Sequence, residues 1–432
     1  MSAADPHHAT HHALHRTIEA VWRIESARVI AGLTRLTRDV GLAEDLAQEA
    51  LVAALEQWPQ SGVPDNPAAW LTATAKRRAI DLFRRNAVAK RKHEELAHEL
   101  EAFEQTSPDL DTALDNTIGD DLLRLVFIAS HPMLPTESRA ALTLRLLGGL
   151  TTDEIARAFL TPEPTIAQRI VRAKRTLADK HIPFEVPRGP ELAERLSSVL
   201  EVIYLIFNEG YSATAGDDLM RPTLCEDALR LGRILAELTP TEPEVHGLIA
   251  LMEIQASRTR ARVNSTGEPV LLFDQDRTQW DQLLIHRGLT AIERALRINS
   301  SRGPYLLQAE IAACHARART PSETDWPRIV ILYTELAQLT PSPVIELNRA
   351  VAVSMAHGPQ AGLTLVDALA SEPSLARYHL LPSVRADLLY KLGRHAEART
   401  EFERAAALTR NTRERDLLLT RAASCETDPT NP

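Results

Sequence analysis

The segment from Thr151 to Arg175 constrains this chain more than any other. Thr151 and Glu154 have the spacing of a capping box, so a short helix is expected to start there and run through Phe159. Pro162 and Pro164 follow, and a proline is tolerable only in a turn or in the first turn of a helix. A second helix then carries Ile166, Ile170, Ala173 and Leu177 at i, i+4, i+7 and i+11, a single apolar stripe. Gln168, Arg169, Arg172 and Arg175 lie off that stripe, with side chains suited to phosphates and base edges. The pair reads as a helix-turn-helix whose second helix is built for DNA. An ordinary helical hairpin with a solvated basic face has the same pattern, and this segment alone leaves both open.

At 432 residues the chain exceeds one typical core, and about 150 residues per domain suggests roughly three. Aromatic residues make up only 4%, Ala, Leu, Arg and Glu abound, and no alternating Val, Ile or Thr run indicates an extended sheet, so helices are expected throughout. The three cysteines, Cys225, Cys314 and Cys425, are too far apart for a disulfide framework or a CxxC metal site. No apolar run could span a membrane and no apolar signal core is present, so the cytoplasm is the expected compartment.

The formal net charge of −9 opposes nucleic-acid binding until its distribution is considered. Between Lys76 and Lys92 stand Lys76, Arg77, Arg78, Arg84, Arg85, Lys90, Arg91 and Lys92 against Asp81 alone. From Glu94 to Asp121 every charged side chain is a carboxylate. A basic footprint followed by an acidic connector is an electrostatic layout that bulk charge conceals, although two solvated helix faces give the same runs.

Ahead of the basic block, Leu42–Trp58 carries two overlapping stripes, Leu42, Leu46, Ala50, Ala53 and Leu51, Leu55, Trp58, while Glu44, Asp45, Gln48 and Glu49 form a polar face with no evident internal use. After a break at Gly62–Pro67, the next helix turns Trp70, Leu71, Ala75, Ala79 and Leu82 inward and its cations outward. A basic helix with an aromatic residue near its start can hold a displaced base, since every base offers a face for stacking.

Three blocks in this order, "AEDLAQEALVAALEQWP" with "NPAAWLTATAKRRAIDLFRR", and "LPTESRAALTLRLLGGLTTDEIARAFLTPEPTIAQRIVRAKRTL", resemble regions 2 and 4 of the extracytoplasmic-function sigma factors of bacterial RNA polymerase. The remainder, with "IYLIFNEGY" and "FDQDRTQWD", resembles the subgroup with a C-terminal tetratricopeptide (TPR) extension. The resemblance implies that Asp45, Gln48 and Glu49 dock on the core polymerase. It implies that Asn66, Trp70, Lys76, Arg77, Arg78 and Arg84 face the −10 element, and that Thr165, Gln168, Arg169, Arg172 and Arg175 read the −35 element. The acidic connector would thread the RNA path of the polymerase. The partners implied are core polymerase and promoter DNA, with no cofactor and no metal.

Pro183, Pro187, Gly189 and Pro190 break the chain, and helical segments follow at short spacing: Leu224–Leu238, Glu242–Arg260, Trp280–Ile298, Tyr305–Arg319, Trp326–Leu339, Pro343–Met355 and Gln360–Ala370. The last unit is most repeat-like, with Ala386, Gly393, His395, Ala398, Phe402 and Ala405 at TPR spacing. A solenoid offers a concave surface for a partner or for the protein's own sigma domains; a compact helical domain with no groove in use is the plainer alternative.

Among smaller features, His7, His8, His11, His12 and His15 suit a disordered leader better than a metal site. Asp274, Asp276, Arg277, Trp280 and Asp281 suit a turn, a helix cap and an internal ion pair better than an enzyme's metal site, and Asn208, Glu209 and Tyr211 a polar helix end. No Gly-rich phosphate loop, GxSxG or HExxH occurs.

The expected fold class is all-α: a region 2 bundle with the His-rich tail (1–92), an acidic linker (93–121), a region 4 helix-turn-helix (122–182) and a TPR-like α-solenoid (183–432) that contacts and regulates the sigma domains. A helix-turn-helix activator with a TPR domain, and an enzyme housed in the C-terminal half, are the competing readings. An activator has no need of a basic, Trp-bearing helix or of a clamp-docking helix.

Overall fold

The structure, a computed structural model, describes residues 6–89, 121–159, 161–213, 215–216, 219–265, 267–299 and 301–425. The acidic run Glu94–Asp120 and the cations Lys90, Arg91 and Lys92 lie outside these residues. The chain divides into two compact units, Met1–Ile203 and Tyr204–Pro432.

Unit 1 holds α1 (Pro6–Thr37), α2 (Val40–Ser61), α3 (Pro67–Ala89), α4 (121–129), α5 (Thr136–Leu146), α6 (Thr152–Ala158), α7 (Glu163–Asp179) and the first part of α8 (Pro190–Tyr211). Helix α1 takes in the positions of the histidine run that sequence alone assigns to a disordered leader. The reason is local: between Pro6, tolerated at a helix start, and Thr37 the chain has Gly32 as its sole breaker. Ile18, Val29, Ile30 and Leu33 of α1 are buried, and α1 packs with α2 and α3 into a three-helix bundle. Asp39 caps α2 by accepting from Leu42 N at 3.0 Å, and Asn66 caps α3 by accepting from Ala69 N at 3.0 Å.

The second half of unit 1 is organised by buried polar groups. Arg195 of α8 donates to the Phe127 carbonyl at 3.0 Å, and Ser198 Oγ donates to the Ser130 carbonyl at 2.6 Å. Arg139, only 7% exposed, donates to Ser198 Oγ and, at 3.1 Å, to Glu201. These bonds hold the first part of α8 in unit 1, so the division between the units falls within a helix rather than in the proline-rich stretch before it.

Unit 2 is an array of helices, each packed chiefly on the next along the chain, as in stacked helical hairpins. It comprises α9 (Pro222–Leu238), α10 (Pro243–Ala256), α11 (Gln282–Ile298), α12 (Pro304–Arg317), α13 (Trp326–Leu339), α14 (Pro343–His357), α15 (Pro359–Ala368), α16 (Leu380–Lys391), α17 (His395–Leu408) and α18 (Thr412–Ser424). Proline opens α9, α10, α12, α14 and α15, where its missing N–H costs nothing and its fixed φ suits a helix. Helix α10 is buried on nearly every side and forms the middle of the array, its Glu253 held by Arg233 at 2.8 Å. Ala386, Ala398, Phe402 and Ala405, the repeat-like residues of α16 and α17, are all buried together. The array is not open at both ends. Short strands β1 (Ala215–Gly216) and β2 (Arg410–Asn411) pair in parallel, and buried Asn411 donates from Nδ2 to the Ala213 carbonyl at 3.1 Å. Among the described residues no helix is long and apolar enough to cross a membrane.

Candidate nucleic-acid interface

The helix-turn-helix is formed by α6 and α7. Thr151 Oγ1 accepts from Glu154 N at 3.1 Å while Glu154 Oε2 accepts from Thr151 N at 2.7 Å, so two otherwise orphaned donors are satisfied. In α7, Ile166, Ile170, Ala173 and Leu177 are buried. Thr165, Gln168, Arg172 and Arg175 are exposed and Arg169 is half-buried. Among the described residues Arg175 makes only an i,i+4 pair with Asp179 at 3.5 Å, an exposed contact worth little against a phosphate.

On the N-terminal bundle the expected polymerase-docking residues lie on α2, with Asp45 and Glu49 exposed and Gln48 half-buried. Their face has internal uses that sequence did not reveal: Gln48 Nε2 donates to Glu44 at 2.5 Å, and Glu49 Oε2 accepts from Arg78 of α3 at 2.8 Å. Residues expected to dock polymerase and to face the −10 element are therefore joined by one ion pair. Helix α3 exposes Arg77 and Arg84. Its Trp70 is half-buried, edge-on to the buried Trp58 with ring centroids 5.3 Å apart. Lys76 is half-buried too; burial pushes its pKa down, the Arg35 charge adds to that and Asp121 opposes it.

Glu44 is the residue that sequence reasoning missed. It is 2% exposed, although it was read as part of a polar face. Its Oε1 accepts from Arg145 Nε of α5 at 2.6 Å, and Lys174 Nζ of α7 lies against its Oε2. One buried carboxylate thus ties the N-terminal bundle both to α5, the helix before the helix-turn-helix, and to its recognition helix α7. A signal was present: Glu44 shares a stripe with Val40, Ala43, Ala47, Ala50 and Ala54, all buried, so helical spacing places it inside. Two further contacts follow the same seam. Arg23 of α1 donates to Glu154 at 3.0 Å, and Gly149, at φ 69°, comes so close to α1 that a Cβ there would sit 3.3 Å from Arg23 Cα.

Two carboxylates of "FDQDRTQWD", Asp276 and Asp281, are structural. Asp276 accepts from Thr278 N at 2.9 Å, and Asp281 caps α11 by accepting from Leu283 N at 2.9 Å and Leu284 N at 3.1 Å. Arg277, expected in an ion pair, donates instead to the His315 and Ala318 carbonyls, both at 2.6 Å, and lies over the Trp280 ring. Glu209 pairs with Arg221, and Tyr211 stacks on Phe207.

Comparison with known proteins matches these parts one by one. A model of Sigma-70 region 2 covers residues 23–88, and one of Sigma-70, region 4 covers residues 124–177. A family of unknown function (DUF6596) covers residues 195–296. An uncharacterized protein of Rhizobium meliloti is 46% identical over 90% of this chain and 90% of its own length. The ECF RNA polymerase sigma factor SigK of Mycobacterium ulcerans is 30% identical over 35% of this chain and 78% of its own length. A probable ECF RNA polymerase sigma factor, SigI of Mycobacterium tuberculosis, is 26% identical over 40% of this chain, which spans 58% of that relative. Both sigma regions fall on the helices that expose the basic faces, and in the same order. The chain belongs to the extracytoplasmic-function (ECF) sigma factors of RNA polymerase, a family that acts in transcription initiation and is not a class of enzymes.

Proposed function

We propose that this sigma factor reads its promoter with two faces and that unit 2 controls it. The observation that carries the reading is the division of α7, which buries Ile166, Ile170, Ala173 and Leu177 and leaves Gln168, Arg172 and Arg175 exposed. Thr165, Gln168, Arg169, Arg172 and Arg175 enter the major groove at the −35 element. Asn66, Trp70, Lys76, Arg77, Arg78 and Arg84 meet the −10 element, the exposed Arg77 and Arg84 on phosphates. Asp45, Gln48 and Glu49 dock on the core polymerase. Unit 2 takes the place of a separate anti-sigma protein, its attachment to the same chain giving it a high effective concentration near the sigma regions.

Co-purification with core polymerase, followed by run-off transcription, tests the docking part. Asp45→Lys with Glu49→Lys abolishes association while helix content is retained. Because Glu49 also pairs with Arg78, the variant Arg78→Ala is run beside it and retains association. Unchanged co-purification of the double variant removes the docking assignment. A chain that binds promoter duplex but never joins the core enzyme is instead a helix-turn-helix activator.

A further inference from the structure

Where the two ends of unit 2 meet, beside the β1–β2 pairing, lies a cavity of about 290 Å³. Its walls come from both ends of the unit, Tyr211, Arg258, Arg262 and Gln275 on one side and His379 and Glu414 on the other. Its size is at the low end for small-molecule sites, which begin at about 300 Å³.

The chemistry of the walls is uneven. Arg262 lies 3.7 Å from the centroid of the Tyr211 ring and donates to the Tyr211 carbonyl. Arg258 lies 5.8 Å from that ring and 5.9 Å from that of Trp280. Among the described residues neither arginine forms an ion pair with a carboxylate, and Arg258 Nε has no hydrogen-bond partner. The nearby carboxylate, Glu414, accepts from Thr409 Oγ1 at 2.9 Å and has its Oε2 3.3 Å from His379 Nε2; its charge also acts on Arg262, without an ion-pair contact between the two. Gln275 is 8% exposed; its Nε2 donates to the Val270 carbonyl at 3.2 Å, while its Oε1 has no partner among the described residues. Stacking on aromatic faces holds the arginines but does not neutralise them. Buried polar atoms of this kind are almost always hydrogen-bonded in native proteins. Leu219, Val270, Leu380 and Leu418 add apolar surface, and a third arginine of the wall, Arg421, is paired with Asp387.

We propose that this cavity binds a small organic anion: a carboxylate that faces Arg258 and Arg262, with a neighbouring hydroxyl or amino group that donates to Gln275 Oε1 and a short apolar body. Arginine suits the carboxylate because its planar fork can donate two parallel bonds. Such a ligand touches residues more than a hundred positions apart in sequence, so its binding free energy adds to the closure of the array. The site is independent of the promoter-reading assignments, and its test needs no polymerase.

The experiment is thermal unfolding and calorimetric titration of the full chain with three probes of one size: 2-hydroxyisocaproate, leucine and the neutral isocaproamide. At saturation one or both of the acids raises the midpoint of unfolding by about 5 °C, and the amide does not. Arg262 also holds the Tyr211 carbonyl, so its removal destabilises by itself; Arg258→Gln and Gln275→Leu are the diagnostic variants. Each is expected to weaken acid binding at least about tenfold, the loss of one good charge-assisted or buried hydrogen bond. A response to leucine alone or to the hydroxy acid alone supports the site and identifies the donor. No shift with either acid overturns the proposal, as does a shift that survives in both variants or that the amide reproduces.

Discussion

Arg145 Nε lies 2.6 Å from Glu44 Oε1, across 101 residues of chain, and the carboxylate that receives it is 3% exposed. Lys174 of the recognition helix meets the other oxygen of the same group. Two charges of the second half of unit 1, one on α5 and one on α7, are thus compensated by one side chain of the N-terminal bundle. Removing one partner of a buried pair costs far more than the pair's net worth, because the remaining charge is left in a poorly solvated place. Glu44→Ala is expected to destabilise unit 1 by about 3 kcal/mol, read as a lower urea midpoint for unit 1 amides followed by hydrogen exchange in the full chain. Glu44→Gln, which keeps an acceptor of the same shape, recovers part of that loss. Equal stability of the alanine variant and the native chain excludes the carboxylate as the tie.

On the proposed assignments, promoter reading is expected to divide by residue. Arg172→Ala weakens binding by about 1–3 kcal/mol on duplexes with the cognate −35 sequence and much less on scrambled ones, if the side chain makes a bidentate contact to a base. Lys76→Ala acts on all −35 variants alike, through phosphates or the open strand. Titration of a panel of −35 variants distinguishes the two, and a loss at Arg172 that is the same on every sequence removes its part in specificity.

Control by unit 2 is tested by truncation, and the structure decides where to cut. A chain ended after Pro190 loses Arg195 and Ser198, which bond the Phe127 and Ser130 carbonyls, and so leaves buried acceptors unpaired. A chain ended after Ile203 keeps them. The fragment ended after Ile203 is expected to fold and to lose transcription from a cognate promoter at least about tenfold, equivalent to ~1.4 kcal/mol. Full activity of that fragment, with and without cell extract, makes unit 2 a passenger in initiation.

Unit 2 is also expected to weaken in acid. Burial and the charges of Arg258 and Arg277 hold the His315 imidazole at a pKa of about 4, against an ordinary 6.5. Above 6.5 the ring is neutral folded or unfolded, and its contribution to stability is intact. Between 6.5 and 4 the unfolded chain takes up the proton and the folded one resists, so stability falls as pH falls. At pH 5 the loss is about 1–2 kcal/mol, discounted for the partial exposure of the ring. His315→Gln flattens the dependence of the unfolding midpoint between pH 7 and pH 5; an unchanged slope assigns the acid sensitivity elsewhere.

The sequence by itself determined what helical geometry determines. The capping box of Thr151 and Glu154, the stripe of Ile166, Ile170, Ala173 and Leu177, and the helix Trp326–Leu339 all depend on residues within a few turns of one another, so spacing alone reveals them. The exposed faces of α3 and α7, with Arg77, Arg84, Arg172 and Arg175, follow from the same periodicity. Only the tertiary structure decided which side chains those faces would meet. Glu44 and Glu49 are both carboxylates on α2, yet one is buried against Arg145 and Lys174 and the other pairs at the surface with Arg78. Helical spacing places Glu44 on the buried stripe, but its partners rest on how helices distant in sequence pack, which no local pattern encodes. The same holds for the pairing of Ala215 with Arg410, which closes an array that its repeats alone describe as open, and for the arginine-lined cavity beside it. Helix formation is a sum over neighbouring residues; ion-pair partners, ring closure and cavities arise where residues far apart in the chain are brought to one place.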